Sequence, residues 1–290
     1  MISQLPVTSV STLAEAYGLL AQSPPGLRVL AGGTDLMVQV NARLGIDSIG
    51  HVLDIWKLEE LRGIERNGGT LAIGALTTYS DLIKSPLVNE CFPALADVSR
   101  EVGAWAIQNR GTLGGNVCNA SPAGDTLPLL LAADARFLLG GPRGTRCVPA
   151  AEFFTGYRKT ALERDELLLH IEVPVLASGL GEKLIYRKVG TRRAQSISRT
   201  ILAARATAKD GRLSRVRVAA GCVAPTPIRC PTVEAAVEGK QLDERAVIAA
   251  KAALDVDIHP ISDVRGSVEY RRLASANVLE RMLRRLAGTE

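Results

Sequence analysis

Short apolar runs alternate with small, polar and glycine-rich breaks, and the period of the runs changes along the chain. Apolar positions recur at helical spacing from Thr12 to Leu20, with Ser11 or Thr12 as N-cap and Pro24-Pro25-Gly26 as the stop. Arg28 to Ala31 predicts a strand running into Gly32-Gly33. Thr34 to Leu44 then predicts a helix with Leu36, Met37 and Val40 on one side. His51 to Ile55 predicts another strand, so the opening reads as βαβ. Gly68-Gly69 marks a turn before a strand at Thr70 to Gly74. Thr77 or Thr78 caps a predicted helix reaching Ile83, and Pro93 starts another that runs to Val102. Leu127 to Ala133 predicts an apolar helix with Pro128 in its first turn, where proline is tolerated. Strands are predicted at Arg136 to Leu139 and Leu167 to Val173, with a turn cluster at Gly140 to Gly144.

Val175 to Gly181, with a preceding proline, two glycines and small residues, predicts a linker. Beyond it, Leu184 to Val189, Thr200 to Ala208 and Leu213 to Val223 read as strands of an antiparallel meander, with Asp210-Gly211 as a turn. Helical stretches follow at Thr232 to Val237, Asp243 to Leu254 and Val268 to Leu286. Strands followed by helices is the α+β pattern.

Composition narrows the function. The 290 residues are 47% hydrophobic and 22% charged, as in a water-soluble globular protein. The net charge is +5, but the basic residues are dispersed, with small clusters only at Arg192-Arg193, Arg271-Arg272 and Arg284-Arg285. Aromatics are 4%, which argues against a base-stacking surface, so nucleic acid is not the expected partner. Cys91, Cys118, Cys147, Cys222 and Cys230 include no CxxC spacing, so they read as free thiols and indicate neither zinc nor a sequence-local iron–sulfur site. His51, His170 and His259 are isolated. The N-terminus lacks a basic, then apolar leader pattern, and no run reaches the length of a membrane span. The expected compartment is the cytoplasm.

Two glycine runs carry the candidate chemistry: Ala31-Gly32-Gly33-Thr34-Asp35, and Arg110-Gly111-Thr112-Leu113-Gly114-Gly115-Asn116. Paired glycines permit positive φ and close approach of a ligand to the main chain. Successive amides can then form an anion-binding nest. The first run, between strand and helix, aims helix N-terminal amides at a phosphate, although an ordinary strand-to-helix turn reads the same way. The second continues through Cys118-Asn119-Ala120-Ser121-Pro122-Ala123-Gly124-Asp125, where Asn116, Asn119 and Ser121 can hold ribose or ring heteroatoms. Asp125 serves equally well as a ribose acceptor or as the N-cap of the next helix. Two nests in one chain suggest one extended anionic ligand with a diphosphate near its middle, a dinucleotide held without a Rossmann turn.

Val29-Leu30-Ala31-Gly32-Gly33-Thr34-Asp35 and the stretch Ile107 to Asp125 closely resemble the FAD-binding subunit of molybdenum hydroxylases, a group that includes the xanthine, carbon monoxide and nicotinate dehydrogenases. The resemblance continues in Phe153-Phe154-Thr155-Gly156-Tyr157-Arg158-Lys159-Thr160, Asp165-Glu166-Leu167-Leu168, Tyr186-Arg187-Lys188 through Ser198, Pro260-Ile261-Ser262-Asp263-Val264-Arg265 and Glu269-Tyr270-Arg271. It implies an α+β protein: a two-part FAD domain of the vanillyl-alcohol-oxidase type over residues 1–177, divided near 56/57, then a smaller α+β domain over 182–290 with an antiparallel sheet plus helices.

The implied FAD contacts are Arg28, Val29, Leu30, Ala31, Gly32, Gly33, Thr34 and Asp35 in the first run and Gly111, Thr112, Leu113, Gly114 and Gly115 in the second, with Asn119 beyond it. Asp125 matches an acidic position on the ribose or adenine side. Leu168 matches a contact near adenine or flavin, and Lys188 matches a lysine approaching the isoalloxazine, where a cation favours the anionic reduced flavin. Some oxidases of the wider fold carry a flavin-bonding histidine after Gly-Gly. Thr34 stands there, so non-covalent FAD is expected. No cysteine-rich insert for a 4Fe–4S cluster is visible, and molybdopterin and 2Fe–2S are expected on partner subunits, in a dimer of heterotrimers.

The implied function is electron transfer from the 2Fe–2S centres to FAD and on to NAD+ or another acceptor, with no catalytic side chain required. Phe-Phe-x-Gly-Tyr-Arg-Lys-Thr and Ser-Asp-Val-Arg point to the xanthine dehydrogenase branch. The competing readings are a free-standing FAD oxidase of the same fold and a basic scaffold protein. A visible spectrum separates the flavin readings from the last.

Overall fold

The computed structural model describes residues 5–42, 48–176 and 181–289. The chain opens with β1 (Val7–Ser9), α1 (Leu13–Gln22), β2 (Leu27–Leu30), α2 (Leu36–Asn41) and β3 (His51–Asp54). The three strands form a parallel sheet in the order β1-β3-β2, which is the βαβ arrangement the spacing predicts. β1 was not legible in the sequence because it is three residues long and only partly covered. Thr12 caps α1 by accepting the Glu15 amide at 3.2 Å. α2 starts two residues later than predicted, because Thr34 and Asp35 stay in the turn. The predicted end at Leu44 lies outside the described residues.

β4 (Ile64–Asn67), β5 (Thr70–Gly74), α3 (Tyr79–Lys84), α4 (Pro86–Cys91), α5 (Pro93–Glu101), α6 (Trp105–Gln108), α7 (Leu113–Asn119) and α8 (Leu127–Ala132) follow. Thr78 and Asp81 make a reciprocal capping box at the start of α3, fixing the turn that leads to the cavity described below. Next come β6 (Arg136–Gly141), β7 (Gly144–Pro149), α9 (Ala150–Phe153), β8 (Phe154–Gly156), β9 (Lys159–Thr160) and β10 (Leu167–Pro174). The antiparallel sheet runs β4-β5-β10-β6-β7 and packs beneath α3, α5, α7 and α8 on one shared core. Gly140 and Gly141 belong to β6 rather than to the predicted turn, which tightens to Pro142 and Arg143.

The third layer contains β11 (Glu182–Val189), β12 (Thr200–Lys209), β13 (Arg212–Gly221), β14 (Ile228–Arg229), α10 (Pro231–Val237), α11 (Glu244–Asp257) and α12 (Val268–Ala287). Its antiparallel order is β11-β12-β13-β14, and the helices close a separate apolar core against it. Asp210 and Gly211 both take positive φ in the β12–β13 turn, as an Asp-Gly hairpin requires. Asp243 and Ser267 cap α11 and α12 through the amides of Ala246 and Tyr270. Part of the predicted linker, residues 177–180, lies outside the described residues.

α8 joins the last two layers. All six of its residues are buried, and it packs on β12, β13 and β14. Just past its C-terminal end, Asp134 accepts from Arg217 at 3.0 Å and from Arg229 at 2.6 Å, both on the C-terminal sheet. Just before its N-terminal end, Asp125 accepts from Lys188 of β11 at 2.6 Å. One apolar helix bracketed by two acidic anchors therefore holds the C-terminal sheet to the rest of the molecule.

Candidate functional site

A cavity of about 750 Å³ opens between the β2–α2 turn, the start of α3, the second glycine run and β10. Its wall includes Arg28, Val29, Leu30, Ala31, Gly32, Gly33, Thr34 and Asp35 from the first run, and Gly111, Thr112, Gly114, Gly115 and Asn119 from the second. Leu168 of β10 faces the same space, with Leu30, Ile55, Leu76 and Leu162 supplying further apolar wall. Of the seventeen residues expected to hold FAD, fourteen line this space, and Leu113, Asp125 and Lys188 do not.

The first run is a cradle of free donors. Gly33 sits at φ +79°, in the left-handed region that favours glycine. Among the described residues, the backbone amides of Gly32, Gly33, Thr34 and Asp35 make no hydrogen bond. Unpaired N–H groups ahead of a helix, facing a cavity, suit an anion.

The second run departs from the predicted nest. None of its glycines takes positive φ, and Leu113 to Asn119 is helix, with Thr112 as N-cap accepting the Gly115 amide at 3.0 Å. Its amides are already used: Gly111 donates to Ile107, Leu113 to Thr77, and Gly114 to Ala75. Its glycines serve close packing. A Cβ at Gly114 would lie 2.6 Å from the Ala75 carbonyl oxygen, and one at Gly111 would lie 3.2 Å from Tyr79 Cε2. Leu113, the first residue of α7, is wholly buried in the core and is absent from the cavity wall.

The two runs touch. A Cβ on Gly32 would stand 1.7 Å from the Arg110 carbonyl oxygen, so the backbones meet there without room for any side chain. Arg110 and Arg62 both stack on the Trp56 indole, 3.8 and 4.6 Å from its centroid, which fixes the run laterally. At the rim, Asn119 Nδ2 donates to Asp35 Oδ1 at 2.8 Å, and Arg158 donates to Asn119 Oδ1 at 2.9 Å. Crowding by the wall raises the Asp35 carboxyl, with Arg158 and Asn119 opposing.

Asp125 and Lys188 lie outside the cavity wall and meet each other instead. Asp125 makes no capping bond to α8. Its second oxygen accepts from Ser198 at 2.8 Å, and Lys188 also donates to the Glu101 carbonyl at 3.3 Å. Burial pushes the Asp125 carboxyl up, and Lys188 and Ser198 pull it part of the way back. The pairing joins residues 63 apart in sequence, which no local pattern could reveal. Sequence reading likewise missed Tyr79 and the cavity-facing role of Arg158. Tyr79 looks like an ordinary first-turn residue, and Arg158 lies in a turn that only the fold brings to the rim. All five cysteines are free thiols, and Cys118 is an exposed member of the cavity wall. Among the described residues no His, Cys, Asp and Glu side chains gather as a metal-holding group, and no helix is long and apolar enough to cross a membrane.

This site fits FAD. The free amides of the first run suit a diphosphate, the space suits a large ligand, and the apolar wall suits ring systems. The sequence profile described as the FAD binding domain in molybdopterin dehydrogenase matches residues 3–176, and that of the CO dehydrogenase flavoprotein C-terminal domain matches residues 185–286. The chain is 36% identical over 276 residues to the carbon monoxide dehydrogenase medium chain of Hydrogenophaga pseudoflava, covering 94% of this chain and 93% of that one. It is also 36% identical over 263 residues to an Escherichia coli xanthine dehydrogenase FAD-binding subunit, covering 90% and 88%. Among solved structures, the Hydrogenophaga pseudoflava carbon monoxide dehydrogenase lacking the Mo-pyranopterin moiety matches with a TM-score of 0.91 and 34% identity, over 96% of this chain and 95% of that one. A parallel-sheet unit, an antiparallel sheet and an appended α+β layer, matched end to end in sequence and in structure, place this chain in the family of FAD-binding oxidoreductase subunits of the carbon monoxide and xanthine dehydrogenases.

Proposed function

We propose that this chain is the electron-transfer flavoprotein subunit of a molybdopterin-dependent hydroxylase or dehydrogenase. It works beside a 2Fe–2S subunit and a molybdopterin subunit, as a dimer of heterotrimers. Bound FAD supplies both one-electron and two-electron chemistry, and so can link single-electron centres to a pair acceptor such as NAD+. The protein's part is binding, orientation and charge. The unbonded amides of Gly32, Gly33, Thr34 and Asp35 hold the diphosphate, while Gly111, Thr112, Gly114, Gly115, Asn119 and Leu168 shape the opposite wall. Asp125 and Lys188 fix the C-terminal layer beside the cavity and place a buried charge pair near it.

The observation that carries this reading is the row of free amides facing a cavity, in a chain whose family binds FAD. The substrate belongs to the molybdenum partner. Equal 36% identity to a carbon monoxide and a xanthine dehydrogenase subunit means that this chain does not sort the two. The test is purification of the native protein with its partners, with FAD, iron and molybdenum quantified. Stoichiometric metal and a flavin that bleaches on anaerobic addition of the partner's substrate are expected. A flavin chain that isolates alone and reduces directly with its own substrate would replace this reading with a free-standing oxidase.

A further inference from the structure

Arg158 lines the cavity but belongs to neither glycine run. Tyr157 and Arg158 alone join β8 to β9, with Gly156 paired to Lys159 across the turn. Arg158 takes φ +53°, the left-handed conformation that favours glycine. Glycine, asparagine or aspartate suits such a hairpin position best, so the fold holds a long cation where the turn alone would choose otherwise. The guanidinium is exposed, and among the described residues it makes one hydrogen bond, to Asn119 Oδ1 at 2.9 Å, and no ion pair within 4 Å. Asn119 Nδ2 in turn donates to Asp35 Oδ1 at 2.8 Å. Asp35 is the last residue of the run whose amides are free, and the Arg158 charge reaches it, pulling its carboxyl down against the burial that raises it. The other charged groups of the wall are engaged elsewhere. Glu166 accepts from Arg146 at 2.7 and 2.8 Å, and Arg28 donates to the Leu27 carbonyl at 3.3 Å. A diphosphate carries two negative charges, and a ligand held by the free amides meets a third on Asp35. Neutral amides alone leave that repulsion uncompensated.

We propose that Arg158 is the counter-ion of the bound dinucleotide, its guanidinium donating to the diphosphate oxygens and offsetting Asp35. This rests on the FAD reading and extends it to a side chain of the β8–β9 hairpin. The planar guanidinium fork matches a phosphate in two hydrogen bonds, which a lysine cannot do. Asn119 is the positioning residue that keeps the fork at the rim beside the free amides.

Two variants of the full chain test the proposal. Arg158→Gln removes the charge, and Arg158→Lys keeps the charge without the fork. The measurements are the melting temperature of the FAD-free protein and the FAD dissociation constant by flavin fluorescence quenching across a sodium chloride series. ADP, which carries the diphosphate without the flavin, is titrated by its displacement of FAD. The FAD-free proteins should melt together, because the side chain is exposed. Arg158→Gln should bind both FAD and ADP roughly tenfold more weakly in dilute salt, with the deficit shrinking as salt rises, and Arg158→Lys should recover part of it. An FAD dissociation constant unchanged in Arg158→Gln would overturn the proposal. So would a deficit that salt leaves unaltered, which marks a packing role, or one that ADP does not share, which places the contact on the flavin. Wild type that takes up no FAD would instead remove the cofactor assignment, and this proposal with it.

Discussion

The two glycine runs look alike in sequence and do opposite work. The first ends a strand, keeps its amides free and needs positive φ at Gly33. The second begins a helix, spends its amides internally and needs small residues because Ala75 and Tyr79 are pressed against it. One run offers hydrogen-bond donors, and the other offers a close-packed wall on which they are seated. Glycine is required in both: for backbone conformation at Gly33, and for van der Waals clearance at Gly32, Gly111 and Gly114.

This contrast ranks substitutions. Gly32→Val has the largest effect, because its Cβ falls 1.7 Å from the Arg110 oxygen, at the point where the two runs meet. A loss of more than about 3 kcal/mol in stability and a protein purified without FAD are expected, measured by denaturant unfolding and by absorbance. Gly114→Val comes next. Its clash with Ala75 should cost about 1–3 kcal/mol, and FAD retention should fall in step with stability.

Gly33→Ala separates the two roles. Its nearest new contact is the flexible Leu30 side chain at 3.2 Å, so only the left-handed backbone opposes it. About 1 kcal/mol of stability should be lost, while FAD affinity falls about tenfold as the amides turn away. Equal effects on stability and affinity in all three variants would erase the distinction between the runs.

The smallest expected effect is that of Asp35→Asn. Burial raises the Asp35 carboxyl above its ordinary value, so as pH falls it gains its proton earlier than a free aspartate does. Its charge then no longer opposes a diphosphate, and FAD binding should tighten as pH falls. The variant should bind about threefold tighter than wild type in alkaline buffer and lose that pH dependence. A calorimetric titration series checks both.

Much of the fold was legible because its signals are local. Thr12 and Thr78 cap the helices that follow them, and Asp210-Gly211 makes the expected hairpin. The site was legible in outline, since both runs and Leu168 reach one cavity. What escaped depends on contacts between distant segments. The amides of the second run are consumed by Thr77 and Ala75, Asp125 is claimed by Lys188, and Tyr79 reaches the wall only because Thr78 pairs with Thr112 across the turn. Glycine spacing reports that a backbone needs freedom or room, but which of the two depends on neighbours that the local sequence does not name.

Amide hydrogen exchange with and without FAD tests the central claim most directly. The amides of Gly32 to Asp35 should exchange fast in the free protein and become protected when FAD binds, because they have no other partner. Peptides spanning Gly111 to Asn116 should be protected in both states. Protection that FAD confers on the second run and not on the first would contradict the account.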